Sequence, residues 1–109
     1  MTTDIAARQL PLEITGLLDP AGIRLRGEVD IATLPILELA LDIVVDRAAD
    51  ATIDLSELTF INVCGLRALA RAAIQLRTAG RCLRLTGAGT WTRRLLCLLG
   101  WAELFEFVR

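Results

Sequence analysis

The side chains able to do covalent chemistry are few in this 109-residue chain. Ser56 is the single serine, and the cysteines are Cys64, Cys82 and Cys97. A serine nucleophile needs a general base, and zinc needs several cysteine or histidine ligands at suitable spacing. The chain has no histidine, no tyrosine and no lysine, and all 12 of its basic residues are arginine. Its cysteines share no Cys-x-x-Cys spacing. We therefore expect no enzyme and no metal or other cofactor.

A short polar segment, Asn62-Val63-Cys64-Gly65, separates an apolar stretch from a helical pattern in the sequence FINVCGLRAL. Asn62, the only asparagine, is of a type that caps helices or holds loops through its own side chain. Gly65 is expected to let the chain turn tightly into the helix. Val63 is either an apolar point on a contact surface or ordinary loop packing.

Cys64 admits two interpretations. A thiol at a helix N-terminus close to an arginine, here Arg67, is favoured as the thiolate, and this placement would suit a redox sensor. The alternative, which we prefer, is a small apolar filler. Cys82 and Cys97 fall on a predicted strand and a predicted helix, and both are expected in the core. An odd cysteine count favours free thiols over a disulfide framework.

Composition indicates a cytoplasmic protein. Hydrophobic residues make up 54% of the chain, but its apolar runs fall well short of the roughly 18 residues that a membrane span needs. The N-terminus carries Asp4 where a signal peptide would carry a base. No nucleic-acid binding is expected, because the net charge is −1 and the arginines are not interleaved with stacking aromatic residues.

The charges are nevertheless segregated along the chain. Residues 1–57 hold 11 acids and 4 arginines, a balance of −7, whereas residues 58–109 hold 2 acids and 8 arginines, a balance of +6. This asymmetry suggests a polarised surface for recognition. The alternative is that the two halves neutralise each other across the fold, and the sequence leaves both open.

Hydrophobic periodicity predicts strands and helices in alternation. Because strands that alternate with helices pair in parallel, we expect a single α/β domain. It would have a mixed four- to five-stranded sheet with three to four helices packed mainly on one face. Residues 1–9 would be a flexible lead-in to a domain spanning 10–109. The predicted strands are 10–15, 23–29, 51–55 and 82–86, the predicted helices are 34–48, 65–79 and 91–99, and 103–108 is a closing strand or edge.

The helical spacings also predict which side chains face the sheet. In the first helix, Thr33 is the expected cap, and the acidic row Glu38, Asp42 and Asp46 should face solvent. Its inward residues would be Leu34, Leu37, Leu41, Val44 and Ala48. In the third helix, Trp91, Leu95, Leu98 and Leu99 are expected to point inward, with Gly100 as the terminating C′ glycine.

Three segments together resemble the STAS domain family, whose best-known members are bacterial anti-sigma factor antagonists. They are LRGEVDIATLP, IDLSELTFINVCGLRAL and TRRLLCLLGWAELFEF, and the resemblance covers roughly residues 10–108. The family typically has Asp-Leu-Ser, a spacer, Phe, a hydrophobic residue, and then Asp-Ser-Ser-Gly or Asp-Ser-Thr-Gly at the start of a helix. The residues that match are Asp54, Leu55, Ser56, Phe60, Ile61, Gly65 and Leu66.

The resemblance implies a binding switch. In this family the unphosphorylated antagonist captures an anti-sigma factor that is also a Ser/Thr kinase with an ATPase fold, and the sigma factor is released. Phosphorylation of the first Ser or Thr after the motif Asp ends the capture. Here the motif Asp is Asn62, the acceptor is Val63 and the next residue is Cys64, so the usual phosphosite is lost. Ser56, whose expected role is a hydrogen bond inside the loop, is the alternative acceptor.

The resemblance places partner binding on the motif loop and on the exposed side of the second helix. The residues concerned are Asn62, Val63, Cys64, Gly65, Leu66, Arg67 and Arg71, with Asp54 and Ser56 as structural motif residues. An anti-sigma factor is the expected partner, and a homodimer stays open. The alternative function is a cytoplasmic accessory subunit of an ABC transporter that handles lipids. A weaker alternative is a thiol-based redox-responsive protein that uses Cys64.

Overall fold

The computed structural model of the chain describes residues 11–47 and 49–108. The predicted lead-in 1–9 therefore lies outside the described residues, as do Leu10 and Ala48. The elements follow the predicted alternation, with a 3-10 turn at Ala102–Leu104 before the last strand. They are β1 (Leu12–Leu18), β2 (Ala21–Val29), α1 (Leu34–Arg47), β3 (Ala51–Ile61), α2 (Val63–Thr78), β4 (Leu83–Thr86), α3 (Thr90–Leu98) and β5 (Glu106–Val108).

The five strands form one mixed sheet in the order β1-β2-β3-β4-β5. β1 and β2 are an antiparallel hairpin, and every later pair is parallel. Each parallel pair is joined by one helix, and such crossovers are right-handed in nearly all proteins, which puts α1, α2 and α3 on the same face. The predicted fold class is confirmed.

The sheet separates an apolar face from a charged one. Ile23, Leu25, Ile53 and Leu85 are buried under the helices. The alternate positions of the same strands carry the ion pairs Arg24–Asp54 (2.9 Å) and Arg26–Glu57 (3.8 Å) and a contact between Arg84 and Glu106. Because successive residues of a strand point to opposite faces, this alternation is what a sheet covered on one side requires. None of the described helices is long and apolar enough to cross a membrane.

β3 is six residues longer than predicted. The stretch after Leu55 looks like a loop in sequence, yet it stays paired with β2 as far as Val29 and Ile61. Two register shifts in this pairing absorb the extra residues of β3 as bulges. The shorter prediction was wrong because a bulge breaks the apolar alternation without ending the strand. Ser56 consequently lies on a strand and not in a loop.

The inward face predicted for α3 is wrong for Trp91, Leu98 and Leu99, whereas Leu95 is partly buried against the core as predicted. Trp91 is 70% exposed and Leu98 is 81% exposed, whereas Leu96 is fully buried. Large apolar side chains lie all around the circumference of α3, so their spacing does not identify one buried arc. The same rotation exposes Cys97, which was expected in the core. The predicted C′ glycine is confirmed: Gly100 has φ +78°, and its N–H donates to the Cys97 carbonyl.

α1 buries Leu37, Leu41 and Val44 as predicted, and Leu34 is partly buried. Its acidic row is exposed. Thr33, the expected cap, is buried, and its side chain bonds to residues that precede it in the chain. Its hydroxyl donates to the Glu28 carbonyl and accepts from the Asp30 N–H, both at 2.9 Å. Asp30 organises the turn, because its side chain accepts from the N–H groups of Ala32 and Thr33. Thr33 therefore fastens this turn to the end of β2.

α2 crosses the sheet closely because Gly65 has no side chain. A Cβ on Gly65 would lie 2.7 Å from side-chain atoms of both Val29 and Ile61. Gly65 does not have a positive φ, so the expected role in a tight turn was wrong. The glycine is required by packing, since it lets the first turn of α2 rest on the ends of β2 and β3.

We predict that Gly65→Ala lowers the free energy of unfolding by about 1–3 kcal/mol, because the added methyl overpacks this contact. Urea titration of the purified variant measures the change. Gly16→Ala is the matched control, since its Cβ would meet nothing within 4 Å. A Gly65→Ala variant as stable as Gly16→Ala would show that α2 does not depend on this close approach.

Candidate functional site

Asn62 forms the junction between β3 and α2. Its N–H donates to the Val29 carbonyl (3.0 Å), which fastens the junction to the end of β2. Its side-chain Oδ1 accepts from the Gly65 N–H (2.8 Å), and its backbone carbonyl accepts from Leu66 (3.1 Å). This is N-capping, which satisfies one of the otherwise unpaired donors of the first helical turn. The capping role predicted for Asn62 is present.

The two residues after the cap face outward. Val63 is 44% exposed and Cys64 is exposed, both in the first turn of α2. Arg67 and Arg71 are exposed one and two turns further along the helix. Together these four side chains offer an apolar point, a thiol and two positive charges on one side of the helix start. We call them the motif surface.

Two residues expected on this surface are not there. Leu66 is 0% exposed, and Gly65 is buried against Val29 and Ile61. In a helix, residues one and two positions after an outward-facing side chain rotate by 100° and 200°, and here that rotation carries them toward the sheet. Leu66 and Gly65 therefore position the motif surface from the buried side of α2.

Asp54 and Ser56 lie on the opposite face of the sheet, where they support β3. The Asp54 carboxylate accepts from Arg24 Nε and from the Ser56 N–H, both at 2.9 Å. Partial burial acts to raise the pKa of Asp54, but the hydrogen bonds from Ser56 and the Arg24 guanidinium outweigh it, so the pKa lies below its ordinary value. Gly87 packs directly against Ser56, where a Cβ would lie 2.6 Å from the Ser56 Cβ.

Three further apolar residues lie at the same end of the sheet as the motif surface and were not predicted there. Ile31, Phe60 and Trp91 are all exposed, and they lie near the carboxyl ends of β2, β3 and β4. Phe60 and Trp91 line one cavity of about 320 Å³, together with Leu58, Thr59 and Gly89. Ile31, Phe60, Trp91 and Val63 together form what we call the apical patch. The sequence alone does not predict this patch, because an apolar residue at the end of a strand or helix can equally well belong to the core.

The cysteines are all free thiols. Cys82, expected in the core, is only partly buried, and that burial is the main reason why its pKa is raised. Cys64 is exposed as a redox sensor requires, but exposure is equally compatible with a contact role. The site as a whole presents apolar area, positive charge and a thiol, a set of groups suited to recognition by a protein.

We predict that Asn62→Ala destabilises the fold by about 1 kcal/mol, because the Gly65 N–H loses its acceptor. Asn62→Asp keeps an oxygen at this position and adds a negative charge at the helix N-terminus, so it should match or exceed the wild type at neutral pH. Thermal unfolding of the three proteins measures this. Equal losses in both variants would mean that the side chain does not act as a cap.

The lowered pKa of Asp54 predicts a pH dependence. Its folded-state pKa lies below an unfolded value of about 3.9, so its contribution is present above that pH and is lost as pH falls through the folded pKa. At pH 7 the wild type should be more stable than Asp54→Asn, and the difference should shrink toward pH 2.5. Urea unfolding at both pH values measures it. A difference that does not change with pH would contradict the ionised pair with Arg24.

The comparisons with known proteins agree with this fold. The family model described as "Mlab, STAS domain" matches residues 14–108. A solved anti-sigma factor antagonist from Mycobacterium paratuberculosis is 30% identical, with a TM-score of 0.72 over 88% of this chain and 82% of that one. A search of the curated proteins gave no significant match.

Two more distant structures share the fold. SpoIIAA of Bacillus, an anti-sigma factor antagonist in its unphosphorylated form, is 12% identical with a TM-score of 0.70, over 90% of this chain and 87% of that one. A sulfate transporter family protein from Wolinella succinogenes is 17% identical with a TM-score of 0.63, over 80% and 76% of the two chains. With a family match over nearly its whole length, the chain belongs to the STAS domain family.

Proposed function

We propose that this protein is an anti-sigma factor antagonist, which binds an anti-sigma factor and thereby releases a sigma factor. The 30% identical structure is described as an anti-sigma factor antagonist, and the match covers 82% of its chain. The observation that carries the proposal is the intact, capped junction at Asn62, which presents Val63 at the start of α2 in the position of the family's regulatory residue.

The interface would combine the motif surface with the apical patch. Val63, Phe60 and Trp91 supply exposed apolar area, and aromatic residues are enriched in the cores of protein–protein interfaces. Arg67 and Arg71 lie beside them and would meet acidic residues of the anti-sigma factor. The expected partner is of the Ser/Thr kinase type with an ATPase fold.

The regulation would differ from that of the family's phosphorylated members. Valine has no hydroxyl, so Val63 accepts no phosphate. Ser56, the alternative acceptor, is exposed and lines the cavity of Phe60 and Trp91, outside the motif surface. Binding would then be constitutive, and the level of each partner would set the outcome. Oxidation of the exposed Cys64 would be the one covalent control left at the motif surface.

Two other functions use the same fold. The family description favours a cytoplasmic accessory subunit of an ABC transporter that handles lipids. In that case the partner would be the transporter's ATPase and not an anti-sigma factor. A redox-responsive protein would need only Cys64, and it would be discarded if that thiol reacted with a thiol reagent no faster than free cysteine at neutral pH.

We predict that the wild-type protein keeps its affinity for the kinase-type anti-sigma factor when ATP is present, because Val63 cannot be phosphorylated. The double variant Asn62→Asp/Val63→Ser restores the family motif and should be phosphorylated, after which binding should fall by at least about tenfold, since phosphate adds nearly two negative charges at the contact. Mass spectrometry and calorimetry measure the two effects.

Asn62→Asp/Val63→Ala is the matched control and should stay unmodified and bound. Loss of wild-type binding on incubation with ATP would contradict the account, as would a double variant that binds the anti-sigma factor but is never phosphorylated.

A further inference from the structure

β3 extends beyond its neighbour on one side. It pairs with β2 as far as Ile61, but its pairing with β4 ends at Asp54, opposite Thr86. Residues 56–61 therefore have a neighbouring strand on one side only. Among the described residues, no backbone hydrogen bond joins this stretch to the chain that follows β4. We call residues 56–61 the open edge.

The chain after β4 makes a turn at Gly87. Gly87 has φ +68°, and a Cβ there would lie 2.6 Å from the Ser56 Cβ, so the close approach of the turn to β3 requires glycine. The turn leads into α3, and beyond it a cavity of about 320 Å³ is lined by the open edge on one side. The other side of this cavity is formed by Gly87, Gly89, Trp91 and Thr92.

The open edge directs backbone groups toward this cavity. Because successive residues of a strand point their N–H and C=O groups to opposite neighbours, every second residue of the edge faces away from β2. Asn62 donates its N–H to the Val29 carbonyl of β2, so the backbone of Ile61, one position earlier, faces the side that β4 leaves open. Ile61 also lines the cavity. A strand edge of this kind is a template for another extended chain.

The cavity favours an uncharged, apolar occupant. None of the described residues that line it carries a charge, and Phe60 and Trp91 give it aromatic walls. Its volume lies at the lower end of the roughly 300–1,000 Å³ that small-molecule sites have. The open edge adds hydrogen-bonding groups in a row at the spacing of a peptide backbone. This combination suits an extended protein segment, whose backbone pairs with an edge while its side chains enter pockets.

We propose that an extended segment of the anti-sigma factor adds to the open edge as a strand and places an apolar side chain between Phe60 and Trp91. Position selects this partner, because Ile61, Asn62 and Val63 are consecutive and the open edge therefore continues directly into the motif surface. This binding mode rests on the proposed function for the identity of the partner. Backbone pairing supplies affinity, and the cavity determines which side chain is accepted.

Hydrogen–deuterium exchange on the purified full chain tests the proposal, with and without the purified kinase-type anti-sigma factor of the same organism. Strand addition should slow amide exchange within residues 56–61 by at least about tenfold, because new backbone hydrogen bonds protect the amides that face the open side. A contact made through side chains alone would leave the exchange of these amides as it is in the free protein.

A variant at Gly89 tests the cavity separately. Gly89 has φ −70°, and a Cβ there would meet nothing within 4 Å, so Gly89→Leu adds a side chain to the cavity wall without backbone strain. It should weaken binding of the anti-sigma factor by at least about tenfold in calorimetry, because the added side chain competes for the cavity. Gly16→Leu is the matched control, since Gly16 has equally open surroundings outside the cavity, and it should bind like the wild type. Circular dichroism should show both variants folded.

The possible failures are distinguishable. Binding without slower exchange in residues 56–61 overturns strand addition and leaves the proposed function standing, and so does a Gly89→Leu variant that binds like the wild type. Slower exchange that appears without the anti-sigma factor, as the concentration of the protein rises, would show that a second copy occupies the edge and also overturns the proposal. If the anti-sigma factor does not bind at all, the proposed function fails and strand addition fails with it.

Discussion

The close approach of α2 to the ends of β2 and β3 holds the functional end of this protein together. At Gly65 the helix backbone rests directly on Val29 and Ile61, and Asn62 joins the same two strands to the helix through its backbone and side chain. One small residue and one capping residue therefore fix the position and direction of the first turn of α2. Every exposed residue of the motif surface takes its position from that turn.

This constraint allows the side chains at positions 63 and 64 to change without a change in the backbone of the junction. The backbone of the junction depends on Asn62 and Gly65, not on the side chains of Val63 and Cys64, which point away from the core. A change at those two positions alters what a partner meets without altering the fold that presents it. An exposed valine between a cap and a thiol suits a contact surface better than a regulated one.

Much of the architecture could be predicted from the sequence, because each crossover helix and parallel strand carries its own periodicity. The capping role of Asn62 followed from residue type and position alone. The wrong predictions fall where hydrophobic periodicity does not identify the end of a strand or the buried face of a helix. The bulges in β3 interrupt its apolar alternation, so its last six residues were not predicted as strand. Leucines lie all around α3, so their spacing did not show that only Leu96 is fully buried. The packing role of Gly65 and the exposure of Phe60 and Trp91 depend on tertiary contacts, which no local pattern encodes.

We propose that this surface displaces a sigma factor from its inhibitor. The most direct measurement adds the purified protein to a preformed complex of a sigma factor with a kinase-type anti-sigma factor from the same organism and follows free sigma factor by size-exclusion chromatography. The account predicts release of the sigma factor and a new complex between this protein and the anti-sigma factor, with or without ATP. Sigma complexes that all remain intact, together with stable binding to an ABC transporter ATPase, would contradict it.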